Sequence, residues 1–490
     1  MNQLYIASRK WMFPFFYALI IVTFFSFTTS WLYDKPLMYD SAVFQLIGKN
    51  WAEGRIPYKD LWELKGPLVF LPSALGYWLL GSKLGVYIIQ LFNLTITFFV
   101  IQKTFLLEFN RKSSILLTGV SAIYFAVLYE SGNTVEEYLL PLLSYAFYLL
   151  YCYINNCIET KEYDLQWRYA FTFGCVLGFS LMSRLTNAIS ICAAVAVVGI
   201  ILIIHRRWGN LIKSSIWFIG GFLVLTIPFI FYFYLKGAIE DMWYGTFLFG
   251  LEYAGNSGFD IFTLFGARHI LLRFANCYLL LLTVFLILKF NPLRRFAGVM
   301  WLVIVLLTTF VFLRLNAFGH YYIITLPFIP VIITELHKLW KVNKEEWTLF
   351  LLKCVIILYI VLGVVGITNN LLNYYLIFHD YKELAVYERI VNKLPPDFRN
   401  SFIAYDCDPE FYLYFNIFPK YPYYAGQSPL MHYGASIRPK IQSFFENGNA
   451  KFLVVYGAPD MLDDIVNKRY SFLFSENSTR GGEYNIYVLR

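Results

Sequence analysis

The stretch TNAISICAAVAVVGIILII, residues 186–204, contains no Asp, Glu, Lys or Arg. As a helix rising ~1.5 Å per residue it covers about 28 Å, close to the roughly 30 Å hydrocarbon core of a bilayer. Strands and soluble core helices do not need a charge-free run of this length, so it reads as a transmembrane helix. Similar runs flank it at 169–183 and 214–235, and others lie at 11–30, 85–101, 114–129, 138–154, 269–288, 296–313, 321–337 and 347–370. Together they make about eleven spans, with lengths that fit a bilayer with some tilt. The fifth and sixth are expected to form a tight hairpin around Ser183-Arg184-Leu185-Thr186-Asn187.

Composition agrees with this reading. The chain is 58% hydrophobic, 20% aromatic and 15% charged, whereas soluble domains carry about 25% charged residues. Its 490 residues would make several soluble domains, but a membrane domain over 1–372 takes most of them. The net charge of +8 collects in short inter-helix loops, so no nucleic-acid partner is expected. Six of the seven cysteines lie in or beside apolar runs, Cys407 being the exception. There is no Cys-x-x-Cys pair or Cys/His cluster to suggest zinc or a disulfide framework. The first 30 residues have a basic start and an apolar run. That run is long, aromatic-rich and without a small-residue cleavage site, so a retained span is expected rather than a signal peptide.

The loops set the orientation. With the N-terminus inside, the short inner segments hold Arg9 and Lys10; Lys103, Arg111 and Lys112; Lys161 and Arg168; Arg206, Arg207 and Lys213; Lys289, Arg294 and Arg295; and Lys338, Lys341 and Lys344. The longer outer segments before the tail hold fewer basic residues, which is the positive-inside bias. An odd number of spans places the tail, 373–490, outside. A bacterial inner (plasma) membrane is the expected location.

Two outer segments, 31–84 and 236–268, are too long for simple turns. In the first, Ala42 to Trp51 has apolar residues at helical spacing behind Asp40-Ser41, a suitable N-cap, and is expected to lie along the membrane surface. A second short apolar stretch, Leu68 to Leu80, is expected to be interfacial or re-entrant. The tail reads as a small α/β domain. An amphipathic helix over Lys382–Leu394 stops at Pro395-Pro396. Three β-rich runs follow at Ser401–Tyr405, Phe452–Tyr456 and Tyr484–Val488.

Several outer residues have chemistry suited to group transfer. Asp40, just beyond the first span, is either a base able to take a proton from an acceptor hydroxyl or a cap for the following helix. Lys65 precedes Gly66-Pro67, a stiff turn that would hold its ammonium for a phosphate; a snorkelling lysine or a partner for Glu63 is the plainer alternative. Arg184, between two apolar runs, suits a lipid phosphate or an interfacial position. His320, near Arg314 at the outer end of the tenth span, would add a second basic group or serve as a packing residue. The adjacent Glu136 and Glu137 would orient an acceptor, hold a divalent cation with Asp40, or form a solvated loop.

The order of these residues resembles a known family. Asp40 after the first span, Trp51 to Tyr58, then Lys65-Gly66-Pro67-Leu68 resembles the first outer loop of GT-C glycosyltransferases. The nearer relatives are the protein O-mannosyltransferase and lipid A aminoarabinose transferase branch. Ser183-Arg184 resembles the branch's basic position between middle spans, and His320-Tyr321-Tyr322 with Leu326-Pro327 and Pro330 resembles its later aromatic-Leu-Pro helix. The resemblance covers about residues 10–340. It implies a GT-C-like polytopic α-helical membrane protein with a small C-terminal extracytoplasmic α/β domain. It also implies an inverting transferase that uses a polyprenyl-phosphate-linked sugar, with Asp40 as base and Lys65, Arg184 and His320 as phosphate ligands. The acceptor would be a glycan, lipid or protein. The chain departs from the branch at Ser41, where an acidic residue is frequent, and more mildly at Gly66 and Arg184. A lipid-linked sugar flippase or other transporter is the alternative, but such proteins favour paired half-repeats and mid-span polar sites, and neither is evident in the sequence.

Overall fold

The computed structural model describes residues 2–33, 39–256, 274–314, 319–373, 382–396, 398, 401–458 and 462–490, without the side chains at 2–9, 253–256, 313, 314 and 373. Asp34, Arg268, the side chain of Arg314 and the 257–268 part of the second long loop lie outside the described residues. The chain divides into two compact units, each built from separate sequence segments. One comprises Met1–Leu32, Val86–Phe229 and Phe259–Leu371; the other comprises Tyr33–Gly85, Ile230–Gly258 and Leu372–Arg490.

The first unit is helical. Among the described residues helices cover most of each expected span, among them Lys83–Phe105, Arg111–Leu128, Val135–Thr160, Ile189–Ile204, Trp208–Leu235 and Glu346–Asn373, while the first ends at Phe25 and 269–273 of the eighth lies outside the described residues. Among the described residues, seven helices are long and apolar enough to cross a bilayer. An eighth is counted if Gly319–Thr325 and Phe328–Asn343, bent by 45°, form one span. Trp167–Leu181 has 15 residues and Ala275–Phe290 has 16, short for a crossing of about 20 residues. Large apolar side chains such as Leu116, Ile204, Ile216 and Phe350 remain exposed, as suits a surface solvated by lipid rather than water. This is an integral membrane protein.

Packing inside the first unit depends on small residues where helices touch. A Cβ on Gly174 would lie 1.9 Å from the Phe218 carbonyl oxygen, and one on Gly221 would lie 2.0 Å from that of Phe171. Trp167–Leu181 and Trp208–Leu235 therefore meet backbone to backbone, as small residues allow within membranes. One group of loop cations is also enclosed. Arg294 is 9% exposed and donates to Glu335 at 2.7 Å and to Asn155 at 3.0 Å. Lys338 reaches the same Asn155 at 2.9 Å and pairs with Glu108 at 2.9 Å. These cations, counted above for orientation, also tie helices together.

The second unit joins the first long loop to the tail. Its loop part contains the helices Tyr39–Ala52 and Leu71–Leu80, the latter preceded by a tight turn at Pro67–Val69. The first helix is described from Tyr39, so Asp40 sits inside its first turn rather than capping it. The two helices press together at Gly48, where a Cβ would lie 2.4 Å from Ser73 Cβ. The tail supplies the helix Lys382–Lys393 and four strands: β1 Phe402–Tyr405, β2 Phe452–Tyr456, β3 Tyr470–Asn477 and β4 Glu483–Leu489. Their order is β1-β2-β4-β3, with β1 parallel to β2 and β4 antiparallel to both β2 and β3. Three of these strands match the expected runs, and β3 is an addition. The buried centre of the sheet, Phe402, Ala404, Tyr405, Leu453, Val454, Val455 and Ile486, explains why β1, β2 and β4 read as apolar.

Candidate functional site

In the second unit, Asp40 and Lys65 form an ion pair, with Nζ 3.2 Å from Oδ1. The ammonium also lies 4.9 Å from the centre of the Phe44 ring. Asp40 and Phe44 are four residues apart and share a helix face, so carboxylate and ring bracket the lysine. Lys65 thus pairs with Asp40, and its charge also acts on Glu63, the partner considered from sequence. Burial raises the Glu63 carboxyl above its usual range, Lys65 opposes this, and Asp40 adds to it.

The backbone of Lys65 is held by a residue that the sequence reading did not single out. The Tyr58 hydroxyl donates to the Lys65 carbonyl at 2.7 Å and accepts from Thr246 at 3.4 Å. Tyr58 is 2% exposed, meets the Phe70 and Phe233 rings edge-on, and has a left-handed φ of 69°. A non-glycine residue in that region is strained by about 1 kcal/mol or more, which the surrounding aromatic packing offsets. Asp60 accepts from the Ile56 amide at 2.7 Å and closes the loop. Gly66 has an ordinary extended backbone, φ −68° and ψ 159°, and Pro67 opens the following turn. The stiffness expected after Lys65 therefore comes from Pro67 and Tyr58. Trp62 fastens the loop to the tail: its amide donates to the Pro422 carbonyl at 2.9 Å, and its ring lies against Tyr423 and Phe249.

In the first unit, Arg184 occupies the break between Trp167–Leu181 and the short turn Leu185–Ala188. Its guanidinium lies 3.1 Å from Glu136 Oε1 and 3.3 Å from the centre of the Tyr321 ring. The Asn187 amide approaches the same Glu136 oxygen at 3.5 Å. Glu136 is fully buried, and its Oε2 has no hydrogen-bond partner among the described residues. The neighbouring His320 ring meets Tyr321 edge-on at 4.7 Å, and its Nδ1 is 2.8 Å from Glu130 Oε2. Tyr321 therefore has a guanidinium over its face and an imidazole ring perpendicular to its own. Both basic groups are backed by glutamates.

Glu137 turns elsewhere. It accepts from Gln90 at 3.0 Å, Tyr129 at 2.9 Å and the Asn133 amide at 3.0 Å. Gln90 in turn accepts from Ser26 and Thr29. This buried network satisfies its members internally, as burial of polar groups requires. Gln90 lies inside the apolar run 85–101, and a polar residue there was the available signal. Among the described residues, no group of three or more His, Cys, Asp or Glu side chains is arranged to hold a metal ion. Glu136 and Glu137, considered above for a cation, face different partners.

No protein-family model and no curated protein matches this sequence. Among solved structures, the chain is similar to ArnT from Cupriavidus metallidurans bound to undecaprenyl phosphate, at 12% identity and a TM-score of 0.59 over 96% of each chain. The apo state of the same protein gives 13% and 0.58 over 98% of each chain. The Archaeoglobus fulgidus oligosaccharyltransferase in its apo form gives 11% and 0.50, over 97% of this chain and 74% of that one. At these identities the likeness is one of architecture: this membrane protein has the GT-C fold that ArnT and the archaeal oligosaccharyltransferase share.

Proposed function

We propose that this protein is an inverting membrane glycosyltransferase, moving a sugar from a polyprenyl-phosphate donor to an acceptor on the extracytoplasmic face. The observation that carries the reading is the Asp40–Lys65 pair, a carboxylate and an ammonium 3.2 Å apart on the first long loop. The GT-C fold and the undecaprenyl phosphate bound to the similar ArnT structure support it. In the proposed reaction an acceptor oxygen attacks the anomeric carbon, whose bond to the phosphate oxygen breaks as the new bond forms. The electron pair leaves on polyprenyl phosphate, and the acceptor proton passes to Asp40. Lys65 holds the phosphate and stabilises its growing charge, and Arg184 and His320 are the further phosphate ligands that the sequence resemblance implies. In this proposal Glu136 aims Arg184, and Glu130 holds the His320 ring. The N-terminus is cytoplasmic and the tail extracytoplasmic.

The test is a transfer assay with purified protein and a panel of polyprenyl-phosphate sugars, comparing wild type, Asp40→Asn and Lys65→Ala. Removal of a positioned base lowers turnover roughly 10²–10⁴-fold, and loss of Lys65 is expected to weaken donor use. Full transfer by both variants overturns the site assignment. A wild type that moves lipid-linked sugar across vesicles but transfers none supports the flippase reading instead.

A further inference from the structure

A groove of about 350 Å³ in the second unit lies apart from the Asp40–Lys65 pair. Its walls come from three distant segments: Tyr58 and Lys59 of the first long loop, Asp241, and tail residues between Tyr421 and Asn449. The volume is within the range of small-molecule sites, about 300–1,000 Å³. Tyr421 and Phe444 are stacked with their ring centres 3.8 Å apart, and Tyr423 meets Tyr421 edge-on at 5.4 Å. The remaining lining is polar and mixed, with a carboxylate from Asp241, ammoniums from Lys59 and Lys440, and amides from Asn447 and Asn449. Tyr421 is 7% exposed, and its hydroxyl is buried without a hydrogen-bond partner among the described residues. An unmade hydrogen bond of this kind costs about 1–3 kcal/mol, and a bound ligand would repair it.

This combination selects among ligands. An acyl chain would need an apolar lining, and a bound extended peptide would need a free strand edge, whereas these lining residues belong to helices and loops. A sugar has an apolar C–H face for an aromatic ring and a rim of hydroxyls that both donate and accept. Amides, a carboxylate and ammoniums around an aromatic stack complement both. We propose that this groove binds a saccharide unit of the acceptor. Two lysines against one aspartate give preference to a sugar bearing a carboxylate. The position is also apt, because Tyr58 lines the groove while its hydroxyl holds the Lys65 carbonyl at 2.7 Å.

The acceptor role rests on the transferase reading, but saccharide binding can be measured without a donor. Full-length protein in detergent would be examined by saturation-transfer NMR with tetragalacturonate, cellotetraose and chitotetraose. At least one probe is expected to bind, with tetragalacturonate strongest. Phe444→Ala should weaken binding tenfold or more, and Tyr421→Phe, which keeps the ring, roughly 3–10-fold. Absence of saturation transfer to all three probes overturns the proposal. So does equal affinity in wild type, Phe444→Ala and Tyr421→Phe when their melting curves show that all three are folded.

Discussion

Replacing Arg184 by methionine removes the cation that faces Glu136. That glutamate is fully buried, with one oxygen 3.1 Å from the guanidinium and the other without a hydrogen-bond partner among the described residues. After Arg184→Met, the Asn187 amide at 3.5 Å is the one hydrogen-bond donor left beside it among the described residues. Removing one member of a buried pair costs about 3–5 kcal/mol, because the other charge stays desolvated. Arg184 is itself 21% exposed, which puts the expected loss near the lower end, about 3 kcal/mol. Glu136→Gln leaves a neutral amide of similar shape and a cation still resting on the Tyr321 ring, so about 1–2 kcal/mol is expected. The double variant should then be more stable than the sum of the single losses implies, with a coupling of about 2 kcal/mol. Equilibrium unfolding of the four proteins in mixed micelles, followed by tryptophan fluorescence, measures each term. A loss under about 1 kcal/mol for Arg184→Met, the value of a solvent-exposed pair, together with additive behaviour, would refute the reasoning. A transfer assay on the same proteins separates two roles: the double variant regains stability, but if Arg184 grips phosphate it does not regain activity.

Other expectations follow from single contacts. Tyr58→Phe removes one hydrogen bond to the Lys65 carbonyl and should lower kcat/KM up to about tenfold with the fold retained, as circular dichroism would check. Gly48→Ala places a methyl 2.4 Å from Ser73 Cβ and 2.6 Å from the Ala74 amide nitrogen, so a loss of about 1–3 kcal/mol in thermal or denaturant unfolding is expected. Glu383 accepts from Ser478, Thr479 and Tyr484. Burial alone would raise its pKa, but these hydrogen bonds outweigh burial and hold it below the usual carboxylate range. Its stabilising effect is therefore complete above the unfolded value of about 4.3 and fades as pH falls through the lower folded value. Hydrogen exchange at β4 should show Glu383→Gln opening more readily than wild type at neutral pH, with the difference closing in acid. A cysteine at the exposed Lys468 position, Lys468→Cys, should react with an impermeant thiol reagent added outside intact cells; labelling only after lysis would contradict the proposed orientation.

The membrane architecture was legible because hydropathy and length are local properties. A run such as 186–204 has to bury its backbone polar groups in its own helix wherever it sits in a bilayer, so no knowledge of its neighbours was needed. The same holds for β1, β2 and β4, whose apolar runs follow from the burial of residues such as Phe402, Val454 and Ile486. Strand β3 escaped notice because most of its residues are not buried, Phe472 and Leu473 among them, whereas β1, at the other edge, is buried throughout.

The chemistry divides along the same line. From the sequence alone came the candidate residues Asp40, Lys65, Arg184 and His320, because ionisable groups beside apolar runs stand out against a chain with 15% charge. Tertiary structure decided what each of them faces: Lys65 meets Asp40, Arg184 meets Glu136 and the Tyr321 ring, and His320 meets Glu130. It also brought out Tyr58, which had read as one more aromatic residue among many, as the group that holds the Lys65 backbone. The physical reason is range. Span formation depends on residues close together in sequence, whereas an ion pair between positions 136 and 184 exists only after distant helices have packed.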